Sequence, residues 1–150
     1  MSEPIYFDTS ALAKWYIREE RSDEVEAYLQ EHGPVAISEL TIVEMATLLA
    51  RRRWEGDFDA DLEARIFATF REDIRKGYLQ CHSFPSGLSE AALLLRVHLS
   101  QIAIRTLDLL HLAIAREIQA AVVATADGKM AAAAAILDFR VVRFGGRTPR

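Results

Sequence analysis

Short apolar runs alternate along this chain with longer segments whose apolar residues recur every three or four positions. Ile5-Tyr6-Phe7 is the first run and reads as a strand. Two helices are expected, from about Ser10 to Arg18 and from about Ser22 to Glu31, ended by the breaker His32-Gly33-Pro34. Val35-Ala36-Ile37 reads as a second strand. Ser38 then stands as N-cap of a helix reaching about Trp54, because its short hydroxyl can accept a free N–H of the first turn. Glu55-Gly56-Asp57 is a turn, followed by a helix from about Ala60 to Lys76 that Gly77 terminates. Tyr78 to His82 is a third strand, and Pro85-Ser86-Gly87 opens onto a helix from about Ser89 to Ile102. Thr106 is expected to cap a helix to about Gln119, and Ala121 to Ala124 to form a fourth strand. Asp127 opens a helix through the alanine run to about Leu137, Arg140 to Arg143 is a fifth strand, and a short basic tail, about 144–150, closes the chain.

Strands alternating with helices predict an α/β fold, a mainly parallel central sheet flanked by helices on both faces. No linker or internal repeat divides the sequence. Its 150 residues suit one domain, 1–150, with a sizeable core. Parallel strands end on one edge, and ligand sites in such sheets lie outside the carboxyl ends of the strands.

Composition narrows the function. The chain is 51% hydrophobic and 27% charged, an ordinary soluble balance, and its apolar stretches are too short to span a bilayer. The N-terminus lacks the basic and long apolar segments of a secretory signal. Cys81 is the single cysteine, which excludes an internal disulfide and a cysteine-cluster zinc site. A cytoplasmic location is therefore expected. The formal net charge of −4 has the wrong sign for a generic nucleic-acid binder. That sign misleads if the acids are concentrated where divalent cations offset them.

Four acids fall where one edge of the sheet would gather them. Asp8 follows the first strand and Asp127 the fourth, and each also suits a helix N-cap. Asp108 lies in the first turn of its helix, where a negative charge favours the dipole. Glu44 interrupts Leu40-Thr41-Ile42-Val43-Glu44-Met45-Ala46-Thr47-Leu48-Leu49, with Leu40 and Leu48 one turn away on either side. An exposed glutamate ordinarily has more polar neighbours. Helical side chains tilt toward the N-terminus, so Glu44 leans back toward the carboxyl edge. Converging carboxylates repel, so at least one should have a raised pKa when no cation is bound. Hard oxygen donors of this kind suit Mg²⁺ or Mn²⁺. His111, three residues past Asp108, reads as a core or supporting histidine rather than a ligand. An acidic groove needs cations to hold phosphates, and Arg51, Arg52 and Arg105 are the candidates, with the C-terminal arginines behind them. The plainer reading of Arg51-Arg52-Arg53 is a solvated helix end.

In this order the segments resemble the PIN-domain family. Ile5-Tyr6-Phe7-Asp8-Thr9-Ser10-Ala11-Leu12 is similar to its opening strand and first acid. Ser38-Glu39-Leu40-Thr41-Ile42-Val43-Glu44 is similar to the segment with its glutamate. Arg105-Thr106-Leu107-Asp108-Leu109-Leu110-His111-Leu112-Ala113 resembles the third motif, and Thr125-Ala126-Asp127 the fourth. The size resembles the VapC-type toxins of toxin–antitoxin pairs. The resemblance implies a Mg²⁺- or Mn²⁺-dependent endoribonuclease with Asp8, Glu44, Asp108 and Asp127 as its catalytic and metal-binding acids. It implies support from Ser10 and Thr125, an RNA substrate, a small antitoxin partner and a homodimer. About Trp54 to Ser83 matches no motif.

Three rivals stand against this reading. A haloacid-dehalogenase-type phosphatase needs a second acid two residues after the first, where Ser10 stands. A receiver domain needs adjacent acids after its first strand and a lysine after its last, and has neither here. A catalytically inactive PIN scaffold that only binds RNA or protein would be favoured by loss of an acid, and none is lost.

Overall fold

The structure is a computed structural model that describes residues 3–145. Five strands carry the fold: β1 (Ile5–Phe7), β2 (Val35–Ser38), β3 (Leu79–His82), β4 (Val122–Thr125) and β5 (Arg140–Arg143). Seven helices connect them: α1 (Thr9–Tyr16), α2 (Ser22–His32), α3 (Glu39–Trp54), α4 (Ala60–Arg75), α5 (Leu88–His98), α6 (Thr106–Glu117) and α7 (Gly128–Ile136). All pairings are parallel, in the order β3-β2-β1-β4-β5.

Period-two alternation splits the strands between two cores. Tyr6, Ala36, Val123 and Val141 face α5, α6 and α7, where Leu95, Leu112 and Met130 are buried. Phe7, Ile37, Ala124 and Val142 face α1 to α4, where Leu12, Val25, Leu49 and Phe70 are buried. The expected architecture, helices on both faces of a parallel sheet, is thus the observed one. β1 is central, and the chain leaves it for β2 and β3 on one side and adds β4 and β5 on the other. The connection order therefore reverses between β1 and β4, where a crevice opens at the carboxyl edge.

Several boundaries differ from the expected ones. The helix expected to reach Ile102 stops at His98; Ile102 and Ile104 pack against the core from the following loop instead. Thr106 is the first residue of α6 rather than its cap. Arg105 holds the cap position and makes no side-chain cap bond. β4 runs one residue later than expected, which brings Thr125 into the strand. Gly77 ends α4 as expected, at φ +84°, a conformation that costs glycine little. Arg147 and Arg150 of the basic tail lie outside the described residues. Among the described residues no helix is long and apolar enough to cross a membrane.

Candidate functional site

A cavity of about 330 Å³ opens at the carboxyl edge, above the crevice between β1 and β4. Asp8, Glu44, Asp108 and Asp127 all line it, together with Ser10, His111, Arg51 and Arg105. Four separate segments thus deliver one acid each.

Asp8 is buried and fully engaged. Its Oδ1 accepts the Ser10 hydroxyl at 2.7 Å and the Ala11 N–H at 3.0 Å. Its Oδ2 accepts the Thr125 hydroxyl at 2.5 Å. Capping α1 and facing the cavity are therefore simultaneous roles of one carboxylate. Burial raises its pKa, and the Thr125, Ala11 and Ser10 hydrogen bonds oppose that rise. The two supporting hydroxyls also close the crevice. Ser10 Oγ accepts the Ala126 N–H at 2.9 Å, which with the Thr125–Asp8 bond ties the end of β1 to the end of β4, and Thr125 Oγ1 accepts the Asp127 N–H at 3.0 Å.

Asp127 caps α7, its Oδ1 accepting the Lys129 N–H at 2.9 Å. Glu44 points from α3 into the same cavity. Burial works against its charge, but hydrogen bonds from His111 and Thr9 and the proximity of His111 prevail, and its pKa is lowered. The Thr9 hydroxyl donates to Oε1 at 2.7 Å, and His111 Nε2 bonds the same oxygen. Among the described residues Asp108 has no hydrogen-bond donor comparable to those of the other three. Burial, then the charges of Asp127 and Asp8, push its carboxyl up to about 6. Asp108 and Asp8 are thus both raised, and at Asp108 the neighbouring acids add to the effect of burial.

The three consecutive arginines of α3 part ways. Arg51 lines the cavity. Arg52 turns to Glu19 at 3.2 Å and to Asp57, and Arg53 pairs with Glu63 at 2.6 Å. Of the nominated phosphate contacts, Arg51 and Arg105 reach the cavity wall and Arg52 is committed elsewhere. Sequence reasoning missed Thr9, Thr47, Leu48 and Leu107 as lining residues. It also missed the bond from His111 to Glu44. The fall of Thr47, Leu48 and Arg51 at three, four and seven residues past Glu44 was the available signal for α3.

Among the described residues no three His, Cys, Asp or Glu side chains stand close enough to hold a metal ion between them as an all-protein cage. Mg²⁺-type cations do not need one. They keep several waters and take one or two carboxylates directly, sharing the rest with substrate phosphates. The donor set fits that mode: the four acids offer hard oxygens, and among the described residues no hydrogen bond engages the Asp108 carboxylate or Asp127 Oδ2, beside the anchored Asp8 and Glu44. An apolar hollow of about 350 Å³ lined by Trp15, Leu29, Pro34 and Tyr78 has a single acid, Glu26, and offers no such set.

Solved structures share this fold. A Mycobacterium tuberculosis structure, VapC20, described as a sarcin–ricin loop cleaving toxin, superposes with a TM-score of 0.66 at 20% identity, over 86% of this chain and 94% of that one. VapBC2 from Rickettsia felis, solved with a DNA fragment from its promoter, gives 0.67 at 18% identity over 93% and 98%. FitAcB from Neisseria gonorrhoeae gives 0.67 at 18% over 91% and 95%. No curated protein sequence matches the chain. The family model of the PIN domain matches residues 5–136, from the first residue of β1 to the last of α7, and the chain accordingly belongs to the PIN-domain family.

Proposed function

We propose that this chain is a divalent-metal-dependent endoribonuclease and the toxin of a toxin–antitoxin pair. It cleaves RNA, binds a small antitoxin protein and works as a homodimer in the cytoplasm. The observation that carries the reading is the convergence of Asp8, Glu44, Asp108 and Asp127 on one cavity with Arg51 and Arg105 in its wall. Family membership supports the nuclease. The description of VapC20 as a toxin cleaving the sarcin–ricin loop supports RNA as substrate. The antitoxin and the homodimer rest on the resemblance of the motifs to VapC-type toxins.

One or two of Asp8, Glu44, Asp108 and Asp127 would bind Mg²⁺ or Mn²⁺ directly, with waters and substrate phosphate completing its coordination. Such an ion, when bound, supplies Lewis acidity that makes water a competent nucleophile near neutral pH and stabilises charge on phosphate oxygens. The chain's own residues do the rest. Ser10, Thr125 and the start of α1 hold Asp8 in one orientation, and Thr9 and His111 do the same for Glu44. Arg51 and Arg105 hold the phosphates flanking the cut. Leu48 and Leu107 form apolar parts of the wall.

A labelled single-stranded RNA incubated with Mn²⁺ should be cut internally, and EDTA should stop the reaction. Asp108→Asn should lower the rate at least about a hundredfold, the size expected when several kcal/mol of transition-state charge stabilisation is lost. Cutting that persists in EDTA removes the metal mechanism. Binding without cutting under any divalent metal establishes the inactive scaffold.

A further inference from the structure

Behind the His111–Glu44 contact runs a buried chain of hydrogen bonds. Ser38 Oγ lies 2.9 Å from Tyr6 Oη, Tyr6 Oη lies 2.6 Å from His111 Nδ1, and His111 Nε2 reaches Glu44 Oε1. The chain links β2, β1, α6 and α3 in that order. Ser38 and Tyr6 are fully buried and His111 is 1% exposed, so no solvent competes for these bonds.

Its direction follows from the donors available. A carboxylate only accepts, so Nε2 carries the proton in the bond to Glu44. In the neutral ring Nδ1 then accepts, and the Tyr6 phenol donates to it. The Ser38 hydroxyl can donate in turn to Tyr6 Oη. In that tautomer every proton in the chain points toward Glu44.

The end of the chain is specific. Both donors to Glu44, the Thr9 hydroxyl at 2.7 Å and His111 Nε2, meet the same oxygen, Oε1. Among the described residues no donor meets Oε2, and the Glu44 side chain lines the cavity and is partly exposed there. A helix side chain with three rotatable bonds is thereby confined to one presentation.

We propose that His111 is a positioning residue for Glu44: oriented by Tyr6, it claims Oε1 and leaves Oε2 as the single oxygen that Glu44 offers to a divalent cation. The proposal rests on reading Glu44 as part of the acidic site. Groups that orient a metal-binding side chain typically change metal affinity by about 10–100-fold when removed. Loss of the His111 donor therefore shows in cation binding, not only in turnover.

Calorimetry with Mn²⁺ on the folded full chain tests it with three variants, each checked by circular dichroism and thermal melting. His111→Leu, which removes the donor, should bind Mn²⁺ about tenfold or more weakly than wild type. His111→Gln, whose amide nitrogen can stand where Nε2 stands, should recover most of that loss. Tyr6→Phe should fall between wild type and His111→Leu. In metal-free wild type, proton NMR should show a slowly exchanging ring N–H far downfield that His111→Gln lacks. Equal Mn²⁺ affinity in wild type and His111→Leu overturns the proposal, as does a folded His111→Gln that is no better than His111→Leu. Absence of any Mn²⁺ binding by wild type is a different result. It overturns the acidic metal site itself, and the role of His111 with it.

Discussion

Asp108 is the residue at which the metal-free site resists its own charge. Its carboxyl stands at about 6, through burial first and the negative charge of Asp127 and Asp8 next. A carboxyl raised in the folded state penalises folding wherever it ionises. Below roughly pH 4, near the ordinary aspartate value, both states are protonated and there is no penalty. Between about 4 and 6 the unfolded chain releases its proton first, and stability falls as pH rises; above about 6 the penalty is complete. Asp108→Asn abolishes the ionisation. In EDTA it should be more stable than wild type at pH 7 by about 1–2 kcal/mol, allowing for partial solvent screening, and the difference should vanish near pH 4. Urea denaturation at the two pH values measures it. An Asp108→Asn protein less stable than wild type at pH 7 would make Asp108 chiefly structural. The acids themselves were legible in the sequence because each sits at a local landmark: after an apolar run, in a first helical turn, or amid apolar neighbours. The anchoring of Glu44 was not legible. Thr9 and His111 lie 35 and 67 residues from it, and no local spacing encodes contacts made only when α1, α3 and α6 meet.

At the scale of elements, α3 shows how helical geometry sorts like residues to unlike tasks. Arg51 is seven residues past Glu44, close to two full turns and roughly 10 Å along the axis, so both look onto the cavity. Arg52 and Arg53 rotate away by about 100° per residue and meet Glu19, Asp57 and Glu63. Arg51→Ala should therefore weaken RNA binding and flatten the slope of log affinity against log salt by roughly 0.7, one single-strand phosphate contact, with unfolding unchanged. Arg52→Ala should keep the slope and lose stability by about 1 kcal/mol or less, as expected for half-exposed ion pairs. A reduced slope in Arg52→Ala would mean that its ion pairs yield to RNA. Element types were readable from period and breakers, but some ends were not. Leu99, Ile102 and Ile104 are apolar and pack against the core, yet they do so from a cap and a loop. Apolar spacing reports burial, and burial does not distinguish a last helical turn from a loop folded over the same core.

At the scale of the whole molecule, topology and charge set one problem together. The reversal between β1 and β4 places Asp8 and Asp127 on either side of one crevice, and α3 and α6 add Glu44 and Asp108 above it. Two cavity arginines oppose four acids in a protein of net charge −4, so without a cation the field at the cavity repels phosphate. A bound divalent ion would cancel that excess of negative charge and leave Arg51 and Arg105 free to attract the backbone. RNA binding and metal binding should then be thermodynamically coupled: each raises the affinity of the other by the same factor. Fluorescence anisotropy at low temperature with a labelled single-stranded RNA measures the coupling. Wild type should bind weakly in EDTA and at least about fivefold more tightly in Mn²⁺, the lower end of ordinary coupling. Asp108→Asn should bind RNA more tightly than wild type in EDTA, having lost one repelling charge, and should gain less from Mn²⁺, having lost one candidate ligand. The two effects have opposite signs, so the affinity curves of variant and wild type should cross as Mn²⁺ is added. General damage to the fold lowers affinity in both conditions and produces no crossing. RNA affinity indifferent to Mn²⁺ in both proteins would place the RNA-binding surface away from the acidic cavity.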